Sequence, residues 1–125
     1  KRVQTRAHHR CEYCQLSEKH SHYPHQVDHI IPPLHGGTDN DDNLAWACFQ
    51  CNSAKTSNIA SYDFETNQLT PLFHPRQDAW QTHFRYESGQ LMGITPVGRV
   101  TVRVLQINLP ELVLMRQLWM GLNDW

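Results

Sequence analysis

The chain has no apolar run close to the roughly 18 residues that a membrane-crossing helix needs. Nor does it open on a short apolar core of the signal-peptide kind. A membrane span is excluded, and a cytoplasmic location is expected. Excess charge is also absent: 11 Lys+Arg face 12 Asp+Glu, a net of -1. Net charge therefore gives no reason to expect a nucleic-acid partner, and the distribution of charge has to be read instead. The first residue is Lys1 rather than Met, so an upstream segment is expected. With 125 residues, 39% of them apolar, the chain suffices for about one domain with one modest core.

Cysteine and histidine, in contrast, are concentrated. The four Cys form two C-x-x-C pairs, Cys11/Cys14 in CEYC and Cys48/Cys51 in CFQC. Seven of the nine His fall in the first 35 residues. Two residues between cysteines let both thiolates face one ion from a tight turn. Two such turns supply the four sulfurs of a closed structural zinc site, with no coordination position left for chemistry. The 33 residues between Cys14 and Cys48 exceed the usual spacer, so a folded segment is inserted there. Two other readings stay open: disulfides Cys11–Cys48 and Cys14–Cys51, or a redox pair. The reducing cytoplasm opposes the first, and the second needs one motif rather than two.

The inserted segment reads as strand, loop, strand, then helix. Gln26–Ile31 is β-branched and stops at Pro32-Pro33. His35–Asn40 with Gly36-Gly37 is a loop by composition. Leu44–Ala47 is a second short element behind Asn43, a turn or cap residue. Asn52–Ala60, after CFQC, reads as a helix carrying Lys55.

In order along the chain stand VDHIIP with Asp28-His29, then Gly36-Gly37-Thr38-Asp39, then Asp42-Asn43-Leu44, then CFQCNSAK with Asn52. This succession resembles the HNH endonucleases over residues 8–58, in an H-N-N variant with Asn52 where the usual third histidine stands. The resemblance implies an α+β fold: a ββα-metal core braced by a four-cysteine Zn²⁺ site, with an N-terminal helix and a C-terminal helical extension. One domain, 1–125, is expected, with 8–58 as the nuclease core and 59–125 packing on it.

It also implies roles. His29 is the general base, suited because a histidine's ordinary pKa of about 6.5 leaves it able to take a proton at neutral pH. Asp28 and Asn52 hold one divalent ion on the scissile phosphate, and oxygen ligands favour Mg²⁺ or Mn²⁺ over zinc. Asn43 orients the loop and the histidine without touching metal. Lys55, one turn after Asn52, is either a phosphate contact or a solvated helix lysine. The function implied is DNA phosphodiester hydrolysis leaving 5′-phosphate and 3′-hydroxyl ends. The alternative is a zinc-stabilised nucleic-acid-binding module with a decayed nuclease site.

Outside the motif, His25 and His35 are secondary candidates for the site. Lys1, Arg2, Arg6 and Arg10 carry positive charge with no acid among residues 1–10, on a short helix marked by Val3 and Ala7. They are read as phosphate contacts or as a solvated face. Asp39, Asp41 and Asp42 form an acidic loop expected to turn from the DNA or to bind cations weakly. In 73–86, Trp80 and Phe84 are four apart and fit helical packing, with base stacking the other reading. Glu87–Gly89 marks a turn and Gln90–Ile94 a strand. Thr95-Pro96 reads as a cap and first helical residue, and Asn108-x-x-Glu111 as a capping-box start. Leu112, Met115, Trp119 and Leu122 form an apolar stripe, either packing on the core or open to a protein partner or a second copy.

Overall fold

The computed structural model describes residues 1–125. Val3 and Ala7, four apart, are buried by a short helix, α1 (Arg2–Arg6), which leads into the first cysteine turn. The next regular element is a strand, β1 (Gln26–His29), antiparallel to β2 (Leu44–Ala47) with Asp28 opposite Ala45 and His29 opposite Leu44. Ala45 and Ala47 are fully buried while Leu44 and Trp46 between them are only half-buried, the alternation of a strand with one face on a core. β1 stops two residues short of the expected Ile31. There the backbone of Ile31 is taken by the Asn43 side chain rather than by a ladder partner.

The second cysteine turn starts helix α2 (Phe49–Lys55), with Cys48 as N-cap and its Sγ accepting from the Cys51 N–H. The helix begins three residues earlier than expected and ends at Lys55. It cannot reach Ala60, because that residue opens a further strand. β1, β2 and α2 make the ββα unit.

The C-terminal part is less helical than expected. It contains two hairpins that hydrophobic pattern did not reveal in full: β3 (Ala60–Asp63) with β4 (Gln68–Pro71), and β5 (Phe84–Glu87) with β6 (Gln90–Gly93). Around Trp80 the helix is a single turn, α3 (Trp80–His83), and Phe84 already belongs to β5. The four-residue spacing of Trp80 and Phe84 is still used, with ring centroids 5.3 Å apart. Thr95 caps α4 (Pro96–Val104) as expected, its Oγ1 accepting from Gly98 N–H.

Helix α5 (Pro110–Gly121) departs most. Asn108 does not cap it. Its side chain bonds both the N–H and the carbonyl of Leu91, stitching the chain to β6. The one buried residue of α5 is Arg116, held by the carbonyls of Gly89 and Ile107 and by Asn108 Oδ1. Leu114, Leu118 and Leu122 face outward, each more than half exposed. Leu112, Met115 and Trp119 are half-buried, so the expected stripe packs in part and loses Leu122.

One core joins both parts of the chain. Cys11, Tyr13, Ala45 and Cys51 from the ββα side meet Phe73, Phe84, Leu91, Val100, Leu105 and Ile107. Trp80 Nε1 donates to the Tyr13 carbonyl, and Tyr86 donates to that of Cys14. No helix is long and apolar enough to cross a membrane.

Candidate active site and metal centre

The four cysteines converge. Their Sγ atoms all lie within 4.8 Å of one another, and Cys14 and Cys48 are 3.7 Å apart. Zinc–sulfur bonds of about 2.3 Å place tetrahedral sulfurs about 3.8 Å apart, whereas a disulfide needs about 2.05 Å. All four are free thiols, so the disulfide reading is excluded. Each turn is shaped for thiolate: the Cys14 N–H points to Cys11 Sγ and the Cys51 N–H to Cys48 Sγ, both at 3.4 Å. Hydrogen bonds from Cys11, Cys14 and Cys51 hold the Cys48 thiol far below its ordinary pKa. Cys14 and Cys51 are held well above theirs, chiefly by the hydrogen bond to Cys11. A divalent cation is what lets all four ionise together. The donors fit a closed, tetrahedral metal site that ties the start of α2 to the N-terminal turn.

Above this site, His29 closes β1. Its Nε2 is 2.7 Å from Asp39 Oδ1. The imidazole is about one-third exposed, and Asp39 is almost fully so. Asn43 organises both. It is buried; its Nδ2 donates to the carbonyls of Ile31 (2.9 Å) and Thr38 (2.7 Å), and its Oδ1 accepts from Ile31 N–H (2.9 Å). One amide thus clips the backbone two residues after His29 to the backbone one residue before Asp39. Gly37 completes the clip: a Cβ there would lie 1.5 Å from the Ile31 carbonyl oxygen and 2.9 Å from Asn43 Nδ2. Close approach of two backbones demands glycine here.

Asp28 points the other way, into the protein. It is 5% exposed, accepts from Tyr13 Oη at 2.6 Å and from Lys55 Nζ at 3.2 Å. Burial raises its pKa, and the Lys55 charge and the Tyr13 hydrogen bond work against that rise. Tyr13 is pushed well above its ordinary value, first by burial and then by the Asp28 charge, so it stays a neutral donor.

Lys55 is neither of the things its position on the helix implied. It is 1% exposed, and its ammonium also donates to the carbonyls of His29 (3.0 Å) and Ile30 (3.1 Å). All three N–H groups are spent inside the protein, which leaves none for a phosphate. Its work is to hold the backbone that carries His29. Asn52 is half-exposed, its Nδ2 bonded to Gln26 Oε1 at 2.9 Å and its own oxygen without a protein partner.

The secondary candidates each bond a backbone carbonyl. His25 is buried with Nε2 on the Leu16 carbonyl, and His35 bonds the Ser57 carbonyl. Two acids of the 39–42 loop are paired within the protein. Asp39 meets His29, and Asp41 binds Arg2 at 2.9 Å, so part of the basic α1 face is spent on the loop. Sequence reading missed Asp39 and Tyr13. Asp39 stands among other acids in a polar loop and reads as solvated. For Tyr13 no signal existed: of the residues between the paired cysteines Tyr13 is buried whereas Phe49 is exposed.

Comparison with known proteins agrees with this geometry. Residues 11–58 match the family model for HNH endonuclease. Over 89 residues the chain is 36% identical to the Septu protein PtuA of Bacillus mycoides (strain KBAB4), covering 62% of this chain and 13% of that protein. The chain therefore spans a small part of that relative's length. No solved structure matches it. The matched segment runs from the first cysteine through Asp28, His29, Asn43, Asn52 and Lys55, so the HNH likeness covers the ββα unit and both cysteine turns.

Proposed function

We propose that this HNH domain is a metal-dependent endonuclease that hydrolyses DNA phosphodiester bonds, with His29 as the general base. The observation that carries the reading is the His29–Asp39 bond. A carboxylate only accepts, so Nε2 bears the proton and donates it to Asp39. Nδ1 then holds the free lone pair and is the atom that takes a proton from the attacking water. Asp39 fixes the tautomer and steadies the imidazolium that forms. Asn43 positions both partners through their backbones, and Lys55 fixes the His29 carbonyl from below.

Asp28 and Asn52 would hold a divalent cation, Mg²⁺ or Mn²⁺, which supplies charge neutralisation on the phosphate and on the departing oxygen. The donors are hard oxygens and suit such an ion. Asn52 has its oxygen open. Asp28 is shared with Lys55 and Tyr13, so it can contribute only a remaining lone pair. Zinc is assigned to Cys11, Cys14, Cys48 and Cys51. Ends with 5′-phosphate and 3′-hydroxyl are expected, and a reducing cytoplasm suits the free thiols.

The engagement of Asp28 by Lys55 and Tyr13 favours one second reading: a zinc-braced nucleic-acid-binding module whose nuclease site has decayed. Calorimetric titration of the zinc-loaded chain with Mn²⁺ separates the two. Binding that Asn52→Ala abolishes supports the nuclease, and no binding supports the module. Cleavage of supercoiled plasmid in Mg²⁺ or Mn²⁺, beside a His29→Ala variant, tests the activity itself. A protein partner or a second copy would meet the outward leucines of α5, and sedimentation velocity at several concentrations tests self-association.

A further inference from the structure

Two recesses lie side by side where the first cysteine turn meets the segment around Trp80. The larger, about 500 Å³, is walled by Trp80, Tyr86 and Trp125 together with Arg10 and Gln15. The smaller, about 220 Å³, brings in Arg6 and His8. Arg10, Gln15 and Trp80 line both, so the two form one groove with an aromatic end and a basic end.

The aromatic end offers ring surface and little else. Trp80 Nε1 is used by the Tyr13 carbonyl and the Tyr86 hydroxyl by the Cys14 carbonyl, so their polar tips are spent inside the protein. At the basic end, the acids are already neutralised or bonded. Glu12 accepts from Arg76 and from Trp46 N–H, and Asp78 accepts from His74 N–H. Arg10 spans both recesses, its Nη1 and Nη2 donating to the carbonyls of Gln15 and Trp125, which fixes its charge in the groove wall. Arg6 donates to the carbonyls of Asp41 and Leu44, on either side of Asn43, so this end abuts the turn that carries the active-site asparagine.

We propose that the groove binds a single-stranded nucleic acid, with a base among Trp80, Tyr86 and Trp125 and adjacent phosphates on Arg10 and Arg6. Flat aromatic faces stack on any base, and guanidinium groups beside them suit the backbone. A base inside a duplex is already stacked and paired and cannot enter. The site is distinct from His29, and it binds whether or not the chain cleaves.

The test uses the zinc-loaded full chain carrying His29→Ala, without added Mg²⁺ or Mn²⁺, so that binding is read apart from cleavage. A fluorescently labelled 12-nucleotide oligothymidylate and a 12-base-pair duplex are titrated and followed by anisotropy. The single strand should bind more tightly, with affinity falling as salt rises. Trp125→Ala should weaken it about tenfold, the loss of one stacked base. Because Trp125 also packs on Tyr86, a second variant avoids the fold: Ala79 lines the groove and is exposed, and Ala79→Glu adds only a repelling charge. It should weaken binding severalfold without changing the melting temperature, whereas Gln81→Arg should strengthen it. Equal or tighter binding of the duplex, no binding at all, or Ala79→Glu binding like its parent would overturn the proposal.

Discussion

The Lys55 ammonium lies 3.2 Å from each carboxylate oxygen of Asp28, and both groups are almost wholly shielded from water. The pair joins α2 to β1 directly beneath His29. Removing one partner leaves a buried, uncompensated charge, which costs about 3–5 kcal/mol. Lys55→Met should therefore lower stability by about that amount in urea denaturation, with the slope of the transition unchanged. The double variant Lys55→Met/Asp28→Leu should recover much of the loss. A Lys55→Met chain as stable as the parent would show the pair to be open to solvent.

Asn43 makes three hydrogen bonds from a buried site. Asn43→Ala leaves those backbone groups unpaired, at about 1–3 kcal/mol each where water cannot reach. Since the clip sets both His29 and Asp39, activity should fall even at temperatures where the variant is fully folded. Gly37→Ala should act on the same clip from the other side. Circular dichroism melting beside plasmid cleavage separates the effects, and an active Gly37→Ala protein would contradict the close approach.

Metal removal should unfold the chain rather than merely inactivate it. The cysteines supply part of the shared core, and a structural metal's binding energy is folding energy. One zinc per chain is expected by atomic absorption. Chelation, or Cys48→Ser, should abolish the cooperative melt, and zinc alone should restore the chelated protein. A sharp melt that survives complete metal loss would count against the structural assignment.

Acid stability should depend on Asp63. The Arg99 guanidinium grips this carboxylate through two bonds, 2.9 and 3.0 Å, and holds its pKa well below the ordinary value. A carboxylate whose pKa is depressed by folding gives its stabilisation above the unfolded value, near 4, and loses it as pH falls toward the folded one. The parent should thus lose stability steeply below about pH 4. Asp63→Asn should be less stable at pH 7 and show a shallower acid limb. Identical limbs in the two proteins would rule the pair out as a source of acid sensitivity.

The segment that matches the HNH model was legible because its residue types are bound to fixed spacings. Two C-x-x-C turns, Asp28-His29, Asn43 and Asn52 can be seen without knowing which way a side chain points. Direction was what the sequence concealed. Asp28 and His29 are neighbours, yet one is sealed inside and the other opens outward, and Lys55 turns inward from a helix position that reads as a groove. The hairpin of β3 and β4 was hidden because exposed Tyr62, Phe64 and Leu69 blur its two-residue period. α5 misled for the opposite reason. Its buried residue is an arginine while Leu114 and Leu118 face out, which runs against the pattern that amphipathic reading relies on.

The role proposed for His29, set by Asp39, is to activate water. It is tested most directly by supercoiled-plasmid cleavage in Mn²⁺ with the parent, His29→Ala and Asp39→Asn, all zinc-loaded. Loss of the base should cost about 10²–10⁴-fold. Loss of the charge-assisted bond from His29 to Asp39 should cost roughly 10–100-fold. That ordering, parent above Asp39→Asn above His29→Ala, is the predicted result. Cleavage by His29→Ala at the parent's rate, or none by any of the three, would contradict it.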